Sequence, residues 1–143
     1  MKRYLVDGYN LLHSWRERRV FLSSGFEAAK EEMLRMLQKM ADFEDIGIEV
    51  YFDAFRGPEV QAEKSGRLKV LYASGETSAD MVIEREAYNA AKKEAMIVVT
   101  SDMGIKNLVR ALGVLVVGPD QFLAEVSDCI KEINELIKKQ NRR

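Results

Sequence analysis

Four aspartates stand where a sheet could gather them. Arg3-Tyr4-Leu5-Val6 is a short run that ends in Asp7, followed by Gly8 and then Asn10. Ile48 to Phe52 is an apolar-rich run that ends in Asp53, and Met96 to Val99 is followed by Thr100-Ser101-Asp102. Asp80 opens a helical pattern that follows another apolar run. In open α/β sheets, chemistry collects at the C-terminal ends of strands. Carboxylates crowded there repel one another, and a cation is needed to keep them charged. An oxygen-only cluster without Cys or His suits Mg²⁺ or Mn²⁺. Such an ion lowers the pKa of a bound water and stabilises charge building on a phosphate. The pattern therefore points to phosphodiester hydrolysis more than to acyl transfer. Each acid alone also reads as a turn or capping residue, and Asp80 as a first-turn acid favoured by the helix dipole. Only their company argues for a site.

The elements that must position these acids are legible from periodicity. Arg3 to Val6 reads as a strand buried on both faces, because apolar residues run on without alternation. Gly8 permits a sharp turn or the close approach of another group. Tyr9 to Trp15 reads as a short helical turn that leads into a basic loop at Arg16 to Arg19. A long helix is expected from Phe26 to Phe43, with Ala29, Met33, Met36, Leu37 and Met40 at helical spacing. Ala54 to Gly66 is the most loop-like stretch, and Leu68 to Tyr72 reads as an edge strand. Thr77 or Ser78 is the expected N-cap of a helix that runs to about Lys93. Val82, Ile83, Ala87, Ala90 and Ala91 would face inward. Ile105 to Leu112 is a short helix stopped by Gly113, and Val114 to Val117 a last strand. Pro119 starts a final helix docked by Phe122, Val126, Ile130, Ile133 and Ile137. Strands and helices alternate, so the class is α/β with a mostly parallel sheet. Residues 1–143 are expected to form one domain.

Composition narrows the function classes. The chain has 143 residues, 47% hydrophobic and 31% charged, with a formal net charge of -1. Nothing global attracts nucleic acid, so any such contact needs a local patch. Cys129 is alone, which excludes an internal disulfide and a cysteine-rich zinc site. His13 is alone too, so a Ser-His-Asp triad is improbable, and no Walker A sequence is present. No secretory signal and no apolar run near ~20 residues is visible, so the default location is cytoplasmic and no membrane is involved. Glu84 shares the face of Asp80 one turn on, and a solvent-paired role is favoured over ligation. Ser101 reads as a helix cap before a metal contact. His13 reads as a surface residue and Trp15 as partly core, with stacking on a base as the minor reading.

Four blocks together resemble the NYN domain, a branch of the PIN-like nucleases. They are Val6-Asp7-Gly8-Tyr9-Asn10-Leu11-Leu12, Tyr51-Phe52-Asp53, Ser78-Ala79-Asp80-Met81-Val82-Ile83 and Val99-Thr100-Ser101-Asp102. The likeness is greatest to the bacterial YacP-like subfamily and runs from about Lys2 to Phe122. It implies a PIN-like three-layer fold, with a central mostly parallel sheet and helices on both faces. It implies a Mg²⁺- or Mn²⁺-dependent endoribonuclease. Asp7, Asp80 and Asp102 match the metal-binding acids, Asn10 the Asn of the first block, and Asp53 the acid ending the second strand. Related sites often carry a further acid just past the position of Asp102. Here Met103, Gly104, Ile105 and Lys106 stand there. The subfamily's association with translation-linked RNA decay makes the ribosome a candidate partner.

RNA contacts need positive charge and stacking surfaces. The candidates are Arg16, Arg18, Arg19, Phe55, Arg56, Lys64, Arg67 and Lys106, with extra weight on the loop from Phe55 to Arg67. Metal-dependent cleavage of single-stranded RNA is the first expectation. An RNA- or ribosome-binding module with the same fold is the alternative, motivated by the missing acid. A phosphatase acting on a small phosphorylated molecule through the same acids is the third.

Overall fold

The computed structural model describes residues 2–18, 25–53, 61–73 and 77–142, the side chains of Arg18 and of 61–65 excepted. Along the chain run β1 (Arg3–Asp7), α1 (Gly8–Arg18), α2 (Phe26–Glu44), β2 (Gly47–Asp53), β3 (Gln61–Ser65) and β4 (Leu68–Ala73). Then follow α3 (Ala79–Asn89), a 3₁₀ turn at Lys93–Ala95, β5 (Met96–Val99), α4 (Met103–Ala111), β6 (Leu115–Val117) and α5 (Pro119–Asn141). Among the described residues the strands form one sheet in the order β3-β4-β2-β1-β5-β6. Only β3 is antiparallel to its neighbour. This is the expected α/β architecture with a mostly parallel sheet.

Side-chain alternation sorts the core into two layers. Tyr4 and Val6 of β1 and Val50 and Phe52 of β2 pack with Leu11, Met33, Leu37 and Phe122, so α1, α2 and α5 cover one face. Leu5, Tyr51 and Val98 pack with Val82, Ile83, Ile105 and Val109, so α3 and α4 cover the other. Asp7 has the parity of Leu5, and Asp53 that of Tyr51. Both carboxylates therefore belong to the face covered by α3.

Some expectations give way. Gln61–Ser65 pairs with β4 although it falls in the stretch read as loop. Consequently β4 lies inside the sheet and β3 takes the edge. The short turn expected at Tyr9 is an eleven-residue helix that carries Arg16 on an exposed face. α3 ends at Asn89 because Ala90 is extended, and Lys93 donates to the freed carbonyls of Tyr88 and Ala90 at 3.0 and 2.9 Å. Ala91 is accordingly exposed. Ile137 is exposed as well, since the last turns of α5 lie beyond its packed segment. Among the described residues no helix is long and apolar enough to cross a membrane.

Gly8 joins β1 to α1 under a buried ring. A Cβ there would lie 2.4 Å from Cε1 of Phe52. Phe52 is 1% exposed, stacked on Tyr72 and met edge-on by Tyr9, so the ring has nowhere to go. Gly8→Ala should therefore cost ~1–3 kcal/mol, read as a lower urea midpoint. The double variant with Phe52→Leu should lose less than the two single losses combined, because both act on one contact. An unchanged midpoint in Gly8→Ala would refute the steric account.

Candidate active site

The sheet reverses its winding between β1 and β5, the place where open α/β folds receive ligands. Asp7 ends β1 on one side of that crevice, and Thr100-Ser101-Asp102 continues β5 on the other. Asn10, in the first turn of α1, ties the sides together. Its Oδ1 accepts from the Ser101 N–H at 2.8 Å, from Ser101 Oγ at 2.7 Å and from Thr100 Oγ1 at 3.3 Å. A backbone N–H can only donate, so these bonds fix which way the amide faces. The Asn10 N–H in turn donates to Asp7 Oδ1 at 3.1 Å. Asn10 is thus a cross-strand tie, and Ser101 serves it and does not cap α4.

The capping role belongs to Asp102. Its Oδ1 accepts the Ile105 N–H at 2.9 Å, and its own N–H donates to Thr100 Oγ1 at 3.1 Å. Thr100 is fully buried and links Asn10 to Asp102, a part that sequence reading missed. A polar residue closing an apolar strand was the signal available. Asp53 also holds a helix in place: its Oδ1 accepts the N–H of Ala79, the first residue of α3, at 2.6 Å. Ser78 caps the same helix by accepting the Met81 N–H at 3.1 Å. These bonds set Asp80 opposite Asp7.

The two carboxyl groups of Asp7 and Asp80 are in hydrogen-bonding contact. Burial pushes the Asp7 carboxyl up to about 6, against the pull of the Asn10 N–H, and the charges of Asp80 and Asp53 add to the rise. Burial raises Asp80 also; its bond with Asp7 lowers it, and the charges of Asp102 and Asp53 raise it. One shared proton relieves the repulsion when no cation is present. Among the described residues no three acids, histidines or cysteines converge as a ready-made metal cage. Asp102 acts on Asp80 through its charge. Asp7 and Asp80 remain a hard-oxygen pair able to hold a cation. Mg²⁺ characteristically binds through one or two carboxylates and keeps several waters, so two acids suffice as its protein anchors.

The expected RNA contacts disperse. Lys106 lies one turn past Asp102 and is half-buried. Arg16 is exposed on α1, ~12 Å along the helix from its start. Arg67 lies at the opposite edge of the sheet, where it pairs with Asp45. Arg19, Phe55 and Arg56 lie outside the described residues, as do the side chains of Arg18 and Lys64. His13 is exposed and pairs with Glu17 on α1, while Trp15 is buried in the core.

Known proteins share this architecture. Residues 4–143 match the family described as the YacP-like NYN domain. The uncharacterized protein YacP of Bacillus subtilis (strain 168) is 24% identical over 137 residues, which is 94% of this chain and 81% of that protein. The crystal structure of Rae1 (YacP) from Bacillus subtilis has a TM-score of 0.79 at 25% identity, covering 99% of this chain and 83% of that one. A mutant form of the same protein gives 0.80 at 24%, covering 100% and 86%. Matched over nearly its whole length, the chain belongs to the YacP-like NYN domain family, a nuclease-like, RNA-related domain.

Proposed function

We propose that this protein is a Mg²⁺- or Mn²⁺-dependent endoribonuclease that cleaves single-stranded RNA, with mRNA on translating ribosomes in the cytoplasm as its setting. The contact between the Asp7 and Asp80 carboxyl groups carries this reading. A fold gains no stability by pressing two acids together, and a cation site explains the arrangement. When bound, the ion would supply a water of lowered pKa and charge against the phosphate. Asp7 and Asp80 would hold it, with Asp53 and Asp102 adding negative potential from either side. Asn10 fixes the crevice between them by bonding Ser101 and presenting its N–H to Asp7. In-line attack by water on the phosphodiester leaves a 5′-phosphate and a 3′-hydroxyl.

Cleavage of a labelled single-stranded RNA, free and in a translating extract, tests the proposal. Activity should require Mg²⁺ or Mn²⁺ and vanish with EDTA, with Asp7→Asn or with Asp80→Asn. Asn10→Ala should lose ~10–100-fold in rate, as for a partner that orients a ligand. A 2′,3′-cyclic phosphate product would sink the mechanism. The absence of an acid from Met103 to Lys106 favours a second reading, an RNA- or ribosome-binding module. RNA left intact in both settings while the protein sediments with ribosomes would establish that alternative.

The same acids predict a stability cost in the metal-free protein. The Asp7 carboxyl titrates at about 6 in the fold against an ordinary 3.8. Between those values the fold holds a proton that the unfolded chain has released. The contribution of this group is therefore full below the ordinary value and is lost as pH rises through the folded value. Asp7→Asn removes this loss. At mildly alkaline pH in EDTA the variant should be more stable than wild type by ~1–3 kcal/mol, with a flatter pH slope. Thermal melts across the acid range measure it. Mg²⁺ should raise the wild-type Tm and leave that of Asp7→Asn unmoved. A variant less stable than wild type at every pH would refute the account.

A further inference from the structure

A groove that the proposed chemistry does not use begins beside the start of α3. α3 and α4 both begin at the acid edge, since Asp80 lies in the first turn of one and Asp102 caps the other. The groove, about 420 Å³, runs along the outer side of the two helices away from the acids. Met81, Arg85 and Tyr88 line it from α3 at helical spacing, Thr77 lines it from just before that helix, and Leu108 faces them from α4. Its apolar groups are unusually open. Tyr88 is 70% exposed, Met81 54% and Leu108 41%, while the core beneath is closed by Val82, Ile83, Ala87, Ile105 and Val109. Packing of the fold therefore does not account for them.

We infer that this groove seats bases of the single-stranded RNA beyond the scissile phosphate, with Tyr88 as the stacking platform; this rests on the nuclease reading. Three observations select this occupant. Thr77, at one end of the groove, stands just before the turn of α3 that carries Asp80, so a strand whose phosphate lies against Asp7 and Asp80 can run on toward it. Tyr88 lies ~12 Å along α3 from Asp80, beyond the reacting bond but within reach of the same strand. The lining also matches a base more closely than it matches a phosphate chain. An open ring and thioether offer flat apolar surface, Arg85 offers one cation, and Glu84 in the same lining repels a backbone laid along the floor. Tyr88 stacks a base irrespective of its identity, so the groove selects single strands over duplex without imposing a sequence.

The test separates binding from cleavage. Anisotropy of a labelled single-stranded RNA oligomer in EDTA gives Kd without hydrolysis, and the same oligomer with Mg²⁺ gives kcat and KM. Tyr88→Ala should raise Kd and KM roughly tenfold with kcat nearly unchanged. Tyr88→Phe, which keeps the ring, should behave as wild type. Arg85→Gln should lower the slope of log Kd against log salt by ~0.7, one phosphate contact on a single strand. Tyr88→Ala and Leu108→Ala proteins that bind the oligomer as tightly as wild type would overturn the inference. So would a Tyr88→Ala variant that binds RNA normally but loses a dimer in sedimentation, since the groove would then join copies of this chain. If wild type cleaves nothing while binding still depends on Tyr88, the nuclease reading fails and the base groove stands.

Discussion

Two carboxyl groups that repel each other must be held together, and much of the fold can be understood as the means of doing so. Asp7 is fixed by its strand, which is buried on both faces and paired on both sides. Asp80 depends on α3, a helix of eleven residues that could drift away from the sheet. Its first turn is held by Asp53, which takes the Ala79 N–H, and by the Ser78 cap. Its far half is held by Glu86, which pairs with Arg3 at 2.9 Å. Between these anchors Val82, Ile83 and Ala87 pack on Leu5 and Tyr51. A shift in either anchor would alter the distance between the acids.

The lower anchor is itself a buried polar network. Glu49 is 8% exposed, accepts hydrogen bonds from the Arg3 guanidinium and takes the Tyr51 hydroxyl at 2.8 Å. Burial alone would raise its carboxyl, but the bonds from Arg3 and Tyr51 outweigh that and hold it below the usual carboxylate range. Glu49, Tyr51 and Asp53 lie on one side of β2, with Arg3 and Asp7 on the same side of β1. One face of two adjacent strands thus carries a satisfied ion pair at its start and a strained acid pair at its end. Removing one partner of a buried ion pair destabilises by about 3–5 kcal/mol. That loss is the penalty of leaving the Glu49 charge buried and unpaired, so this end of the face depends on keeping both partners.

Much of this was legible in the sequence because it depends on short-range rules. Apolar runs ending in acids located β1, β2 and β5, and helical spacing located α2 and α5. Parity, the rule that sends Asp7 and Asp53 to the face of α3, is equally a property of the sequence once the strands are known. The parts that were not legible depend on long-range contacts. Gln61-Ala62-Glu63-Lys64-Ser65 has no apolar alternation, and its strand is made by pairing with β4 at the edge of the sheet. The bonds that Asn10 makes could not be read along the chain, because its partners are about ninety positions away. Asp102 caps α4 where Ser101 was expected to, since either side chain can cap a helix and only the approach of Asn10 decides which is free to do so. Arg67 looked like part of an RNA-binding loop, but register with β2 puts it at the end of the sheet remote from the acids.

The charge distribution constrains how such a site could hold RNA. Counterion release from many phosphate contacts is the usual source of affinity, and it needs uncommitted cations. Here Arg3 is bound to Glu49 and Glu86, and Arg67 to Asp45. Lys30 sits 4.5 Å from the centre of the Tyr72 ring and 4.9 Å from that of Phe52. Each of these side chains is engaged within the fold, and the formal net charge is -1. An RNA strand approaching the acids would meet negative potential until a divalent cation offsets it. On the proposed reading, stacking would supply contact energy that phosphate pairing does not. Under the proposed function such a site would bind free RNA weakly. For the proposed nuclease, that weakness would be offset where another body presents a single strand at high effective concentration, as a ribosome does with the mRNA it is reading.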